Sequence, residues 1–202
     1  METKEASTKP EPAHWPSFLR GEDASEILAH LSEGDPLRLQ ETSARRLREL
    51  WFLLEPERVY HRALAVCAKA ASKESPPADL SAWTRAKVDH AIELLVRADS
   101  EAEQAHPELV NEDEKVFPLL TNSLMLDPEL VRFVSVSFNA LDPLPRRAFF
   151  ELMIEGREVV EVVEAGPWDQ DGLYQAIQTA LATMGLDVQP EPPDDPKQGK
   201  KR

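Results

Sequence analysis

Cysteine is all but missing from this chain: among 202 residues there is one, Cys67. No intrachain disulfide can form, and no zinc cage built on cysteines. Its neighbours Ala63, Leu64, Val66 and Ala68 make it a small apolar residue on a helix face. Glycine is also scarce, at 7 residues against 17 prolines, which favours helices punctuated by proline over glycine turns. No Gly-rich phosphate loop with Lys-Ser or Lys-Thr occurs, nor Gly-x-Ser-x-Gly, nor His-Glu-x-x-His. Without a nucleophile set beside a base, the chain reads as a non-enzyme with no catalytic residues and no cofactor. No apolar run approaches the roughly 18 residues of a membrane span. The first seven residues lack the apolar stretch of a leader, so the expected home is the cytoplasm, with no membrane partner.

Positive charge is the other shortage. Lys and Arg number 23 against 37 Asp and Glu, for a net charge of −14 and a pI near 4.8. That excludes a protein that coats DNA or anionic lipid over its whole surface. The deficit is uneven. From Arg38 to Lys73 eight basic residues face four acidic ones, a local charge of +4. From Ile92 to Asp195 six basic residues face 22 acidic ones, a local charge of −16. Arg45, Arg46, Arg48, Arg58 and Arg62 are therefore the candidates for an acidic or nucleic-acid partner. The alternative for this stretch is a solvated face laced with intrahelical ion pairs.

What the chain does have is apolar residues at helical spacing. Hydrophobic side chains make up 42% of it, enough for a core, and the length allows one or two compact domains. Residues 1–13 and 188–202 are polar and proline-bearing and read as disordered tails, the second with a solubilising basic tip of Lys197, Lys200, Lys201 and Arg202. Asp23-Ala24-Ser25-Glu26 has capping-box spacing and opens a helix that buries Ile27, Leu28 and Leu31. A second helix is predicted from about Thr42 to Leu54, with Leu47, Leu50, Trp51 and Leu54 on one face. Pro56 opens a third that carries Val59, Ala63, Val66 and Ala70 inward. A fourth runs from about Asp79 to Asp99 with Val88, Ile92 and Leu95 inward. Residues 22–99 form a first helical domain, and 100–126 an acidic linker.

The second domain is predicted over 127–186. Asp127-Pro128-Glu129 opens its first helix, although Val131 to Phe138 is short enough to be a strand. Helices follow from Pro143 to Glu155, Glu158 to Ala165 and Asp171 to Met184, each closed by a glycine: Gly156, Gly166 and Gly185. Trp51, Trp83, Phe133, Phe138, Phe149 and Phe150 fall near apolar positions and read as core. The expected fold is all-α, two small helical lobes, the second with the order helix, helix, tight turn, helix.

That lobe carries a family resemblance. Leu144-Pro145-Arg146-Arg147-Ala148-Phe149-Phe150-Glu151-Leu152, then Glu155-Gly156, then Val159-Val160-Glu161-Val162-Val163-Glu164-Ala165-Gly166, resembles the C-terminal promoter-binding region of bacterial RNA polymerase sigma factors, especially the small extracytoplasmic-function type. Leu173-Tyr174-Gln175-Ala176-Ile177-Gln178-Thr179-Ala180-Leu181 occupies the recognition-helix position. Upstream, the stretch from Leu47 to Leu64 looks like the opening of the family's N-terminal domain, and Val88 to Ala98 is similar to its polymerase-docking helix. The resemblance implies a helix-turn-helix lobe, RNA polymerase core as partner through Asp89, His90, Glu93 and Arg97, and DNA met by Gln175 and Gln178. The pattern also departs from the family. From Asp171 to Met184 there is no Lys or Arg, and Asp169 and Asp171 stand where phosphate would dock. Residues 100–126 lack a basic, Trp-rich promoter-melting pattern. The expectation is a degenerate sigma factor with weakened or lost promoter reading. The alternative is an acidic helical adaptor for a basic protein, with Glu155, Glu158, Glu161 and Glu164 as its face.

Metal chemistry has little to stand on. Glu103 and His106 have the i, i+3 spacing of a di-iron ligand pair, but a di-iron site needs two such pairs and two further glutamates. His90 and Glu93 have the reverse order. The reading is no metal.

Overall fold

The computed structural model describes residues 14–105 and 128–186, with side chains over 14–102 and 133–186. Every regular element among them is helical, and the Val131 to Phe138 stretch that could have been a strand lies in a helix. The chain divides into two compact units, residues 1–112 and 113–202. The tails, the segment 106–127 and the Glu103–His106 pair lie outside the described residues or side chains.

The first unit holds a 3₁₀ turn at Ser17–Leu19 and helices α1 (Ala24–Ser32), α2 (Leu39–Glu49), α3 (Pro56–Ala71) and α4 (Leu80–Ala105). Helix α3 is the centre and packs on the other three, while α4 also touches α2. Asp23 caps α1 by accepting from the backbone N–H of Ser25 and Glu26, at 2.8 and 3.0 Å. Ile27 and Leu31, one turn apart, are buried, but Leu28 is rotated toward solvent and 37% exposed, against the sequence expectation. Asp79 caps α4 in the same way through Ser81 and Ala82. That helix runs on to Ala105, into the stretch read as linker.

Helix α2 is displaced from its expected span at both ends. It starts at Leu39 because the Asp35 carboxylate accepts from the N–H groups of Leu39 and Gln40, at 2.7 and 2.9 Å. It stops at Glu49 in a Schellman closure, with Phe52 N–H donating to Leu47 carbonyl and Trp51 N–H to Arg48 carbonyl. Trp51 holds the left-handed position of that motif, φ 57°, where glycine is the usual occupant. It is only half-buried, whereas Leu53 and Leu54 reach the core from the extended stretch that follows. On α3 the buried face is Val59, Ala63, Leu64, Cys67, Ala68 and Ala71, so Val66 and Ala70 sit at its edge rather than at its centre. Burial pushes the Cys67 thiol up to about 12, so it stays protonated and unreactive at neutral pH.

The second unit holds α5 (Pro128–Asn139), α6 (Pro143–Phe149), a π turn over Phe150–Ile154, α7 (Val159–Ala165) and α8 (Gln170–Thr183). The sixth helix read from the sequence is thus interrupted by a wider turn. Ala148, Val162 and Leu173, from α6, α7 and α8, are fully buried against one another. Leu152, Val159, Val163, Trp168, Ala176 and Ile177 pack around them. Phe138 and Phe149 are buried with ring centroids 5.6 Å apart, but Phe133 is 44% exposed and is not core. Gly156 and Gly185 take the left-handed backbone expected of helix caps. Gly166 does not: its backbone is extended, φ −111° and ψ −179°. Glycine is required there because a Cβ would come within 2.4 Å of the Trp168 ring and 2.7 Å of the Val162 carbonyl.

Candidate functional site

The basic residues singled out in the first unit split into two kinds. Arg46 is turned inward and makes a fork to Asp89 on α4, Nε to Oδ1 at 2.7 Å and Nη2 to Oδ2 at 2.9 Å. It also donates to Glu49 one turn along α2. Those Asp89 hydrogen bonds outweigh burial and raise the guanidinium pKa above its ordinary value. Arg58 on α3 makes a matching fork to Asp99, at 3.2 and 2.8 Å. Both arginines therefore tie the bundle together through α4. Arg45, Arg48 and Arg62 face solvent, with Arg45 3.7 Å from Glu49.

On α4 the same division holds. Asp89 is committed to Arg46, whereas His90, Glu93 and Arg97 are exposed and share one face through their 3 and 4 residue spacing. His90 Nδ1 lies 3.6 Å from Glu93. The structure therefore brings three of the four α4 candidates together and places the fourth in the packing.

A second cluster in this unit escaped the sequence. Glu74 accepts from Trp83 Nε1 at 2.9 Å and from Lys87 Nζ at 2.6 Å, and its carbonyl accepts from Trp15 Nε1 at 3.3 Å. The rings of Trp15 and Trp83 meet edge to face, 5.1 Å apart. The Lys87 hydrogen bond, joined by that of Trp83, holds the Glu74 carboxyl below its ordinary value. Trp15 is 59 residues from Glu74, so no local spacing announces this contact.

In the second unit all three arginines with described side chains turn inward. Arg146, 9% exposed, donates to the carbonyls of Asn139 and Leu141 at the end of α5. Burial lowers its pKa. Arg147 and Arg157 both grip the buried carboxylate of Glu151, at 2.8 and 2.9 Å. Arg147 also donates to the Ala165 carbonyl and lies over the Trp168 ring. The i, i+4 spacing of Arg147 and Glu151 is legible in the sequence, but the return of Arg157 across Gly156 is not.

Among the described residues of this unit, those exposed to solvent are acidic or uncharged. Glu158, Glu161 and Glu164 are exposed along α7, though Arg157 reaches Glu161 at 3.7 Å. Asp169 caps α8 by accepting from Gly172 N–H at 2.8 Å, and Asp171 is exposed beside it. Gln175 and Gln178 are both exposed on the outer face of α8, with Tyr174 next to them. Among the described residues no group of three or more His, Cys, Asp or Glu side chains is placed to hold a metal ion, and no helix is long and apolar enough to cross a membrane. Comparison of the chain with protein-family models, curated proteins and solved structures found no match.

Proposed function

We propose that this chain is a non-catalytic, sigma-factor-like regulator of transcription that works in the cytoplasm by contact with RNA polymerase and reads promoter DNA weakly or not at all. The observation that carries the second half is the inward turn of Arg146, Arg147 and Arg157. A DNA-reading lobe needs cations or amides at phosphates and base edges. Here Glu151 and backbone carbonyls occupy the arginines, and α8 offers only the amides Gln170, Gln175 and Gln178, beside the carboxylates of Asp169 and Asp171. The shape half rests on the motif order and is supported by the common core of α6, α7 and α8. On α4 the polymerase-facing residues are His90, Glu93 and Arg97, with Asp89 acting through Arg46. Arg45, Arg48 and Arg62 are the solvent-facing arginines of α2 and α3 that an acidic partner surface would meet.

Fluorescence anisotropy with a labelled DNA duplex tests the DNA half: the account expects no binding as salt is lowered from 200 to about 50 mM, the range over which phosphate contacts strengthen steeply. Tight binding with a steep salt slope would remove it.

One observation favours a second reading. Exposed Glu158, Glu161 and Glu164 on α7, with no described cation near enough to neutralise more than Glu161, fit an acidic adaptor for a basic protein. Charge reversal at Glu155, Glu158, Glu161 and Glu164 separates the two. An adaptor loses its partner, whereas polymerase binding through α4 is unchanged.

A further inference from the structure

Among the described residues three besides glycine hold a left-handed backbone, and all three border α2: Asp35 (φ 50°) and Arg38 (φ 53°) before it, Trp51 (φ 57°) after it. Such positions suit glycine, and other residues keep them only while the surrounding packing holds the turns in place. Beyond the turns the chain is anchored by fully buried Leu31 on one side and by Leu53 and Leu54, each 3% exposed, on the other. Residues 35–51 thus form a hinged segment between two fixed points. Its hold on the bundle is thin. The buried residues of α2 are Leu39, Thr42, Ser43 and Leu47, so half of that face is hydroxyl, whereas α3 buries six apolar side chains. Ser43 is fully buried and its Oγ has no hydrogen-bond partner among the described residues, a group that water would satisfy on release.

We propose that α2 is a latch: it releases from α3 and α4 while the rest of the first unit stays folded, and while closed it masks Asp89. The fastening is the Arg46 fork, which takes both oxygens of Asp89. With side chains 15% and 30% exposed, the fork lies within reach of water and competing ions. Once undocked, the 11 residues of α2 are too few to hold a helix in water, so its backbone hydrogen bonds open as well.

The masking follows from the register of α4. Asp89, His90, Glu93 and Arg97 fall within an arc of about 100°, at 3.6 residues per turn. Three of them are exposed, and the fourth is withheld by an arginine from another helix. Release of α2 returns the Asp89 carboxylate to that face. Arg46 and a partner seated on α4 therefore compete for one group: the closed latch weakens the partner, and the partner favours the open form. The masking of Asp89 rests on the polymerase reading; the release of α2 does not.

Amide hydrogen exchange of the full chain, read by peptide mass spectrometry, tests the release. Peptides from α2 are expected to exchange well before those from α1, α3 and α4, at urea concentrations too low to unfold the unit. Arg46→Gln is expected to speed exchange in α2 about tenfold and to leave the other three helices within about twofold. Ser43→Ala, which removes the orphan hydroxyl, is expected to slow it about threefold. Exchange of α2 in step with α1, α3 and α4 would overturn the release. So would an unchanged rate in Arg46→Gln, or a rate in Ser43→Ala that is not slowed. Binding to purified core RNA polymerase, followed by anisotropy, tests the masking. Arg46→Gln is expected to bind several-fold more tightly than the unmodified chain, whereas Asp89→Asn, which opens the latch but carries no carboxylate, is not. Equal affinity of Arg46→Gln and the unmodified chain would overturn the masking and leave the release standing. Binding by none of the three chains would overturn the polymerase reading, and the masking with it, while the exchange rates still decide the release.

Discussion

Arg46 and Asp89 meet 43 residues apart in the chain through two parallel hydrogen bonds of 2.7 and 2.9 Å, one guanidinium edge against one carboxylate. The pair fixes α2 against α4 and removes from the outer surface two residues whose types and positions suggested partner binding. With side chains 15% and 30% exposed, it is shielded enough to matter and wet enough to be moderated by solvent. Asp89→Asn is expected to lower stability by about 1–2 kcal/mol, read from the midpoint of urea unfolding. Glu93→Lys, on the exposed face of the same helix, is expected to leave that midpoint within about 0.5 kcal/mol.

Glu151 is the counterpart in the second unit, 7% exposed and held by both Arg147 and Arg157. Its removal leaves two partly buried guanidinium groups facing each other without a carboxylate between them. Glu151→Ala is expected to cost about 3 kcal/mol and to change the near-ultraviolet circular dichroism of Trp168, which stacks under Arg147. A stable variant with an unchanged aromatic signal would show that the network is decorative.

Two glycines at helix ends are expected to respond differently to the same change. Gly166→Ala pushes a methyl into Trp168 and the Val162 carbonyl and should cost about 1–3 kcal/mol through displaced packing. Gly156→Ala meets no atom within 4 Å, so its cost of about 1 kcal/mol comes only from holding φ at 66°. Thermal unfolding of the two variants compares them, and the order should be Gly166→Ala less stable than Gly156→Ala.

Acid should act on the Trp15–Glu74–Trp83 cluster. A carboxylate held below its unfolded pKa favours the folded chain above roughly pH 4.3, the ordinary glutamate value, and that contribution is lost as pH falls through its lower folded value. Glu74→Gln is expected to flatten the part of the acid-unfolding curve below that pH. Tryptophan fluorescence follows it directly, because Trp15 and Trp83 both bond to Glu74.

Much of the fold was legible because its signals are local. The Asp23 cap, Pro56 and Pro143 at helix starts and the left-handed Gly156 and Gly185 all act within one turn, and each stands where the spacing puts it. Two local signals misled. Trp51 occupies a left-handed closure that usually carries glycine, so the apolar spacing runs on through the end of α2. Gly166 looks like a left-handed cap but is there to admit a tryptophan ring. The candidate site was less legible, since its character depends on which charges are used internally. Nothing in the spacing of Arg46 or Arg58 shows that Asp89 and Asp99 lie opposite them, 43 and 41 residues away. Arg157 closing on Glu151 is hidden for the same reason, and with it the inward turn of the described arginines of the second unit.

The proposed contact with RNA polymerase through the exposed face of α4 is decided by a titration. The full chain, labelled at its amino terminus, is titrated with purified bacterial core RNA polymerase and followed by anisotropy. Saturable binding is expected, weakened at least tenfold by the double variant Glu93→Lys, Arg97→Glu and left intact by charge reversal on α7. No binding at micromolar polymerase, or binding indifferent to the α4 variant, would contradict it.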